Sequence, residues 1–482
     1  MKNQESKKRA APPRRVTPSE REETIPHVDY DRDWCRADLA KVPHIAVEPP
    51  GPKSRAMHAK ASRFYRGLSG QVRLFPVCFR SGRGVTLQDV DGNTYLDFSS
   101  GIYVTSLGHC HPKVSEAVAC WAWRLMNCHD FTTPVKEALV EKLASVLPGD
   151  LQGVQLYDSG TVAVEAALRL CRAATGRTEF LSCFRDFHGK TLGAVSLARM
   201  NPMYAPTRAP GFYMLPRPDT YRPLWTRADG SPDTEAYLRY YDEFIKEGTT
   251  GQIAAFVLEP VQGWAGSVMP PADFFPALRR FCDERGILLV ADEVLTGMGR
   301  TGRWLCMEHW DALPDAVILG KGMGNGFPVT ACVAREGISS NFDRISASTS
   351  YGGNPMACAA ALASIQVIDE EGLLENSRRL GKVALKRMEK MKREHKIVGD
   401  VRALGCLMGI ELVKDRKTKE PFDKAGQMVY VSAFKKGLAW IPAGHILRMS
   451  PPIVMNEEEL LRGLDIIDEA IGETAHELGF GR

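Results

Sequence analysis

Several features that define special classes of protein are missing from this chain of 482 residues. No apolar run approaches the eighteen or so residues that a membrane-spanning helix needs, so no membrane association is predicted. The 12 cysteines form no regular framework and no Cys-x-x-Cys pair, which favours reduced thiols in a cytoplasmic protein. The net charge of +4 is too small to argue for a nucleic-acid partner. The first residues do not resemble a secretory signal.

The remaining composition is that of an ordinary globular protein. Of all residues 44% are hydrophobic and 25% are charged, and the length favours two or three domains. Residues 1–45 differ, because they are rich in Lys, Arg, Glu and Pro and lack periodic apolar positions. They are predicted to form a disordered or loosely docked arm. Its basic run Lys7–Arg15 is interpreted as a solvated tail, and a nuclear-localisation or RNA-binding signal is the alternative.

Residues 286–330 form the stretch around which the rest of the chain is organised. They contain two short apolar runs, Ile287–Ala291 and Ala316–Leu319, each bounded by turn signals. Such runs are typical of strands buried on both faces of a parallel sheet. Asp292 directly follows the first run, and Lys321 follows the second within two residues. Because ligands of open α/β sheets bind beyond the carboxyl ends of strands, the two side chains are predicted to meet at one edge.

A buried acid and a lysine at neighbouring strand ends suit pyridoxal phosphate, whose aldehyde forms a Schiff base with lysine and whose ring nitrogen needs an acidic partner. An ordinary ion pair between Asp292 and Lys321 is the alternative. The motifs of this stretch are an apolar strand, Asp-Glu-Val, Thr-Gly-x-Gly-Arg-Thr-Gly and Leu-Gly-Lys-Gly. They resemble the signature of the class III pyridoxal-phosphate aminotransferases, the family of acetylornithine and 4-aminobutyrate aminotransferases. The resemblance extends over about residues 72–480 and implies that Lys321 and Asp292 are catalytic.

Residues 153–175 are predicted to run from a strand through a turn into a helix. Ser159, Gly160 and Thr161 lie at the start of that helix, where free N–H groups and the positive dipole end favour a phosphate. A simple helix cap is the alternative, and the family resemblance implies the phosphate site. No metal site is predicted, because the adjacent residues of the His-Cys-His run at 109–111 cannot all reach one ion.

A strand predicted at Glu179–Phe184 leads to Phe187, His188 and Lys190. The resemblance implies that Phe187 stacks on the pyridine ring, that His188 contacts the cofactor and that Lys190 binds a substrate carboxylate. Lysine keeps the charge of the arginine that is usual there but loses its bidentate fork. A core phenylalanine and a surface lysine are the alternative.

Three more positions take their predicted roles from the resemblance alone. Glu259, after a strand predicted at Ile253–Leu258, is expected beside the cofactor. Val294 is expected on the ring face opposite Phe187. Arg448 lies at the position where the family binds the α-carboxylate of the substrate.

The loop around Ser350 resembles the segment with which a neighbouring subunit reaches the cofactor phosphate. It implies a homodimer with shared active sites, and a tetramer is left open. Ile102 and Trp264 are expected to contact substrate. At the position of Trp264, relatives often have glutamate, and related racemases have aspartate. At the position of Leu295, relatives commonly have glutamine. The aliphatic Ile102 is a residue type common in relatives that use ω-amino acids.

The predicted fold is α/β of fold type I, with a mainly parallel sheet in a large domain and a smaller α+β domain from both chain ends. The expected divisions are an arm at 1–45, small-domain segments at 46–102 and 369–482, and the large cofactor-binding domain at 103–368. The predicted activity is transfer of an amino group from an amino acid or amine to pyruvate or 2-oxoglutarate through a Lys321 Schiff base. An amino-acid racemase or epimerase and a decarboxylating transaminase are the alternatives within the family, and a non-catalytic scaffold is a more remote one.

Overall fold

A computed structural model describes residues 24–198, 208–440 and 444–480. The strands are β1 (Phe79–Arg83), β2 (Thr86–Asp89), β3 (Thr94–Asp97), β4 (Leu151–Tyr157), β5 (Glu179–Cys183), β6 (Phe212–Leu215), β7 (Ile253–Leu258), β8 (Leu288–Asp292), β9 (Ala316–Leu319), β10 (Thr330–Arg335), β11 (Val398–Leu404), β12 (Leu407–Leu412), β13 (Leu438–Ala439) and β14 (Ile446–Met449).

The helices of the same ranges are α1 (Pro52–Ala61), α2 (Gly70–Leu74), α3 (Ser100–Tyr103), α4 (Pro112–Arg124), α5 (Pro134–Val146), α6 (Gly160–Thr175), α7 (Leu192–Ser196), α8 (Thr234–Gly248), α9 (Phe274–Arg285), α10 (Glu336–Ser339), α11 (Pro355–Glu370), α12 (Leu373–Glu394), α13 (Asp423–Lys435) and α14 (Glu457–Glu477). Short 3-10 turns lie at Arg32–Cys35, Cys306–Trp310, Lys321–Met323 and Ser340–Arg344. Within the described ranges, no helix combines the length and the apolarity needed to cross a membrane.

A seven-stranded sheet of order β4-β10-β9-β8-β7-β5-β6 forms the centre of the molecule. The pairs from β9 through β8, β7 and β5 to β6 are parallel, and only β10 runs against its neighbours β9 and β4. The central strands are buried because their apolar side chains are covered on both faces. The prediction of a mainly parallel sheet is confirmed, and β9 has the predicted bounds while β8 begins one residue later than predicted.

Helices cover this sheet with their apolar faces. Helix α6, which lies in the predicted range 153–175, buries Val164, Ala167, Leu168 and Cys171, and their helical spacing places them on one face. Helix α11 is buried on nearly all sides, and it packs between α4 and α5. These helices therefore give the sheet a well-packed support on its faces.

Two smaller sheets are built from both ends of the chain. In one, the hairpin β2–β3 turns at Asp91–Gly92, a residue pair typical of hairpin turns, and the C-terminal strand β13 adds parallel to β3. In the other, β12 lies between β11 and β14 in an antiparallel sheet. The N- and C-terminal segments thus share one smaller α+β unit, while the exact domain boundaries stay a prediction.

Part of the predicted arm is packed against the body of the protein. Trp34 and Cys35 are buried, and Tyr30 donates a hydrogen bond of 2.6 Å to Glu371. The indole of Trp121 donates to the carbonyl oxygen of Thr24 at 2.7 Å. Within residues 24–45 of the segment predicted to be disordered or loosely docked, the few apolar side chains therefore dock on a tertiary surface. Residues 1–23, including the basic run, lie outside the described residues.

Candidate active site

Two neighbouring parallel strands bring Asp292 and Lys321 to one edge of the large sheet. Asp292 is the last residue of β8, and the register places it opposite Ile318 of β9. Lys321 begins the 3-10 turn that follows β9. The acid and the amine therefore leave adjacent strands at their carboxyl ends, where open α/β sheets bind ligands.

The surroundings of the Lys321 amine favour its neutral form. Burial lowers the pKa of this amine, the carboxylates of Asp292 and Glu259 oppose that shift, and the Arg448 guanidinium adds to it. The backbone of Lys321 is left-handed at φ 48°, a conformation that costs energy for a residue with a side chain. A neutral amine can act as a nucleophile or accept a proton, so Lys321 suits either step.

The carboxylate of Asp292 is held by two contacts. Its Oδ2 lies 2.8 Å from Nδ1 of His188, and its Oδ1 accepts the N–H of Val294 at 3.1 Å. His188 lies between Asp292 and Asp186, with its Nε2 3.6 Å from an Asp186 oxygen. Burial acts to lower the pKa of His188, but the two carboxylates outweigh it and raise this pKa to about 10. The Asp292 carboxyl group is therefore held in a fixed position at the sheet edge.

Glu259, directly after β7, joins two segments of the site through its carboxyl group. Its Oε1 accepts the N–H of Phe187 at 2.8 Å, and its Oε2 accepts the N–H of Gly263 at 3.1 Å. Burial raises the pKa of Glu259 to about 8, and the nearby Asp186 carboxylate acts in the same direction. This link fixes the backbone of Phe187 relative to the segment that carries Trp264.

Helix α6 begins beside the same region. Ser159 is its N-cap residue, yet the Ser159 side chain makes no capping hydrogen bond and the first turn contains no acidic residue. Thr161 Oγ1 lies 2.7 Å from Thr191 Oγ1, and a Cβ at Gly189 would lie 2.3 Å from the same Thr161 oxygen. The helix start and the loop of residues 188–191 therefore form one surface, where N–H groups and the positive dipole end can bind an anion.

Val294 fills the space between this helix start and the end of β9. Its γ carbons lie 3.5 and 3.6 Å from the position that a Cβ at Gly160 would take. The nearer one lies 3.2 Å from the corresponding position at Gly320. Glycine at both places lets the valine present an apolar surface between the anion-binding turn and the lysine.

Arg448, on β14, lies beneath an aromatic side chain. Its guanidinium carbon is 4.0 Å from the ring centre of Trp264 and 6.0 Å from that of Tyr103. The ring centres of Trp264 and Phe187 are 5.7 Å apart. Arg448 is 2% exposed, whereas Trp264 is 44% and Phe187 38% exposed. Burial lowers the pKa of Arg448, while Tyr103 and Glu259 oppose that shift.

The turn at residues 100–103 forms another wall of this region. Ser100, Ile102 and Tyr103 all have left-handed φ angles, of 46°, 68° and 65°. For the β-branched Ile102 this conformation is an outlier that the surrounding structure must enforce. Asp97 Oδ1 does so by accepting the N–H groups of Ser99 and Ser100 at 2.8 and 2.9 Å. A small cavity is lined by Ser99, Ile102, Tyr103, Arg448 and Ser450.

Two predicted residues, Lys190 and Ser350, are exposed in the single chain. Lys190 is exposed and forms no hydrogen bond or ion pair with residues that the structure describes. Ser350 is also exposed, and its carbonyl oxygen accepts a hydrogen bond of 2.9 Å from Asn127.

Three buried polar residues behind the site were not predicted from the sequence: Asp186, Arg217 and Gln262. Arg217 donates to the carbonyl oxygens of Glu259 and Pro260. The position of Asp186, directly before Phe187 and His188, was a signal that the sequence offered. Arg217 comes from a distant segment after β6, and nothing in its neighbourhood marks it.

Comparisons with known proteins agree with this arrangement. The family model described as "Aminotransferase class-III" matches residues 68–471. An alanine/serine racemase of Pyrococcus horikoshii is 34% identical over 90% of this chain and 94% of the relative. An acetylornithine aminotransferase of Methanopyrus kandleri is 38% identical over 82% of this chain and 95% of the relative. A solved amine transaminase from an uncultivated Pseudomonas species, in its pyridoxal-phosphate-bound form, is 29% identical with a TM-score of 0.78 over 86% and 99% of the chains.

The fold and the comparisons define a pyridoxal-phosphate-dependent enzyme of fold type I. The chain belongs to the class III aminotransferase family, and the predicted family and enzyme class are confirmed. Its reaction is the transfer of an amino group to a 2-oxo acid.

The residues at the sheet edge fit pyridoxal phosphate. The chain offers an amine with a lowered pKa at Lys321, a fixed carboxylate at Asp292 and an open helix start at Gly160. Phe187 and Val294 add an aromatic and an aliphatic surface. This is the set of groups that an aldehyde, a basic ring nitrogen, a phosphate and a flat ring require.

Proposed function

We propose that this aminotransferase takes its amino group from α-amino acids and that Arg448 binds the α-carboxylate of both the donor and the 2-oxo acid acceptor. The observation that carries the proposal is the contact of the Trp264 ring with the Arg448 guanidinium at 4.0 Å. An indole carries no negative charge, so it cannot neutralise the arginine as a glutamate at this position would. The cation–π attraction is worth roughly 0.5–2 kcal/mol, far less than a desolvated ion pair.

The consequence concerns both half-reactions. A glutamate that pairs with the arginine lets an ω-amine donor enter a site whose cation is neutralised. With Trp264 in that place, the Arg448 charge persists when either substrate binds. Substrates with a carboxylate near the reacting carbon are therefore favoured, and simple ω-amines pay the cost of facing a buried cation. The aliphatic Ile102 is a residue type common in relatives that use ω-amino acids. Because it carries no charge, we give it less weight than Trp264.

When bound, pyridoxal phosphate supplies an electrophilic aldehyde and a ring that withdraws electrons from the donor Cα. In the proposed site, Nζ of Lys321 would hold the cofactor and would move the proton of the donor Cα. Asp292 keeps a proton on the ring nitrogen. The N–H groups of the first turn of α6 bind the phosphate. The residues proposed to contact the cofactor are Ser159, Gly160, Thr161, Phe187, His188, Glu259, Asp292, Val294, Lys321 and Ser350, and those proposed to contact substrate are Ile102, Lys190, Trp264 and Arg448.

We also propose a cytoplasmic homodimer in which Ser350 serves the active site of the neighbouring subunit. Ser350 and the adjacent Tyr351 are exposed, and Phe131 and Trp123 expose 79% and 71% of their surface. Large exposed aromatic side chains are typical of surfaces that a partner covers. Free thiols at all 12 cysteines support a reducing compartment.

Racemisation is the second candidate, because an alanine/serine racemase is among the similar proteins. A two-base racemase needs a second proton acceptor on the far side of the donor carbon. Trp264 stands where related racemases have aspartate, and its indole accepts no proton. Transamination is therefore preferred over the two-base route.

The test measures kcat/KM for a panel of α-amino acids and ω-amines with pyruvate and 2-oxoglutarate as acceptors. The wild type is expected to prefer its best α-amino acid over 4-aminobutyrate by about tenfold or more. Trp264→Glu is expected to shrink this ratio at least about tenfold, because it places a carboxylate beside Arg448 in place of an uncharged ring. Trp264→Phe, which keeps an uncharged ring, is the matched control and should preserve the ratio.

Two outcomes would overturn the proposal. One is a wild type that prefers an ω-amine over every α-amino acid tried, and the other is an unchanged ratio in Trp264→Glu. Chiral analysis of one pure enantiomer incubated without a 2-oxo acid separates the second candidate, since only a racemase produces the mirror image under that condition.

A further inference from the structure

Behind Asp292 lies a buried histidine flanked by two carboxylates. His188 Nδ1 is 2.8 Å from Asp292 Oδ2, and His188 Nε2 is 3.6 Å from Asp186 Oδ2. The first contact is a hydrogen bond, and the second is an ion-pair distance. All three residues are at most 5% exposed. The order is therefore Asp186, His188, Asp292, running from the interior to the sheet edge.

Asp186 is itself held in place from three sides. Its Oδ2 accepts the N–H of Cys183 at 3.2 Å, and its Oδ1 accepts from Nε2 of Gln262 at 2.7 Å. The Arg217 guanidinium lies 3.7 Å from the same Oδ1. A buried carboxylate is costly unless it is paired and hydrogen-bonded, and Asp186 meets both conditions. Its oxygen facing His188 is thus fixed in position.

This arrangement decides the charge of the imidazole. Two anions on opposite ring nitrogens favour protonation of both nitrogens. Without Asp186, only Nδ1 of His188 would face an anion, and the imidazole would be neutral and free to change its tautomer. With Asp186 present, both ring nitrogens are protonated, so the Nδ1–H group is always available to donate to Asp292. Glu259, Lys321 and Arg448 are the other ionisable groups facing this edge, and Arg217 lies on the far side of Asp186.

We propose that Asp186 is a positioning residue, which acts through His188 to hold the Asp292 carboxylate in position toward the cofactor's ring nitrogen. The proposal rests on the proposed role of Asp292. Asp186 touches neither substrate nor cofactor in this account. Its effect passes through the imidazole, which would otherwise be neutral and free to turn.

The first test measures the protonation of His188 without cofactor or turnover. Apoprotein labelled with ¹⁵N in its histidine rings is examined by NMR at about pH 8, and His188→Gln identifies the His188 signals. In the wild type both ring nitrogens are expected to be protonated. In Asp186→Asn, one nitrogen is expected to be deprotonated at the same pH. A neutral His188 ring in the wild type, or an unchanged ring in Asp186→Asn, would overturn the proposal.

The second test separates this effect from a general loss of structure. Asp186→Asn is expected to lower kcat about 10- to 100-fold while the donor KM changes less than about threefold, because substrate contacts are intact. Asp219→Asn is the matched control. Asp219 is a 9% exposed acid that pairs with Arg185 at 3.4 Å and does not contact His188.

The control variant is expected to leave both the NMR signals of His188 and kcat unchanged. Equal losses of kcat in the two variants would overturn the proposal. If Asp186→Asn does not fold, the wild-type spectrum still tests the proposal, because a neutral His188 ring in the wild type would overturn it. Failure of the proposed role of Asp292 would appear separately, as near-normal turnover in Asp292→Asn while His188 is protonated on both nitrogens in the wild type and loses one proton in Asp186→Asn.

Discussion

At the scale of single residues, chemistry is concentrated where strands of the large sheet end. Asp292 ends β8, Lys321 follows β9, and Glu259 follows β7. Their neighbours along the chain are buried apolar residues, which a short run in the sequence already reveals. The polar residue after each run was therefore predictable. Arg217 was not, because its contacts arise only when distant segments fold together, and the only signal for Asp186 was its place directly before Phe187 and His188.

Asp292→Asn tests the charge at the ring nitrogen. The substitution keeps the shape but removes the anion beside His188, and loss of one partner of a buried pair costs about 3–5 kcal/mol. If this cost falls on the proton-removing step, kcat should fall by about 10²–10⁴. The measurement is the pre-steady-state rate with a donor amino acid.

The matched control for that variant is Asp315→Asn. Asp315 is a 6% exposed acid at the opposite end of β9, where it pairs with Arg279 at 2.8 Å. This variant should lose stability but keep kcat. A loss below about tenfold in Asp292→Asn, or an equal loss in Asp315→Asn, contradicts the assignment of Asp292.

At the scale of elements, the sequence pattern predicted the buried strands of the large sheet, but it did not predict the turn at residues 100–103. The runs that predicted β7 and β9 have their predicted bounds because burial on both faces leaves only apolar residues. The turn at residues 100–103 has a β-branched residue in a left-handed conformation. No local preference favours it, and it depends on Asp97 and on Ser450, directly after β14, whose carbonyl oxygen accepts from Ser100 Oγ.

Glu411 on β12 links the small sheet to the large domain, and it makes a prediction about acid stability. It is 3% exposed and is contacted by Arg222 at 2.6 Å and by Arg402 at 3.0 Å. Burial acts to raise its pKa, but His445 and the two arginines lower it to about 2. Because the folded pKa lies below the unfolded value of 4.5, its contribution is complete above pH 4.5.

That contribution, about 3 kcal/mol, should be lost as the pH falls from 4.5 toward 2. Glu411→Gln should lower the urea midpoint at neutral pH and weaken its pH dependence in this window. Glu420→Gln serves as the control, since the Lys414–Glu420 pair is about half exposed and should contribute little. Equal urea midpoints for Glu411→Gln and wild type at neutral pH would contradict this account.

At the scale of the whole molecule, both chain ends meet in one small unit beside the large sheet. β13 pairs with β3, and the segment from Thr24 packs on helix α4. Composition predicted a loose arm because residues 1–45 lack apolar periodicity, and it could not reveal the surface on which residues 24–45 dock. Contacts between distant parts of a chain leave no local pattern.

The proposed shared active sites can be tested by mixing two inactive variants. Lys321→Ala lacks the catalytic lysine, and Ser350→Glu places a negative charge where the neighbouring subunit's phosphate is proposed to bind. A mixed dimer contains one intact site, with Lys321 from one chain and Ser350 from the other. After unfolding and refolding together, a 1:1 mixture should recover about one quarter of wild-type activity. No recovery would contradict a shared site.

The most direct test of the central claim is to locate the lysine that holds the cofactor. Borohydride reduction makes the link between pyridoxal phosphate and its lysine permanent, and peptide mass spectrometry then identifies the residue. The expected result is modification of Lys321 in the wild type, and no modified lysine and no multiple turnover in Lys321→Ala, even though the phosphate site still binds cofactor. Modification of a different lysine, or near-normal multiple turnover by Lys321→Ala, would contradict the account.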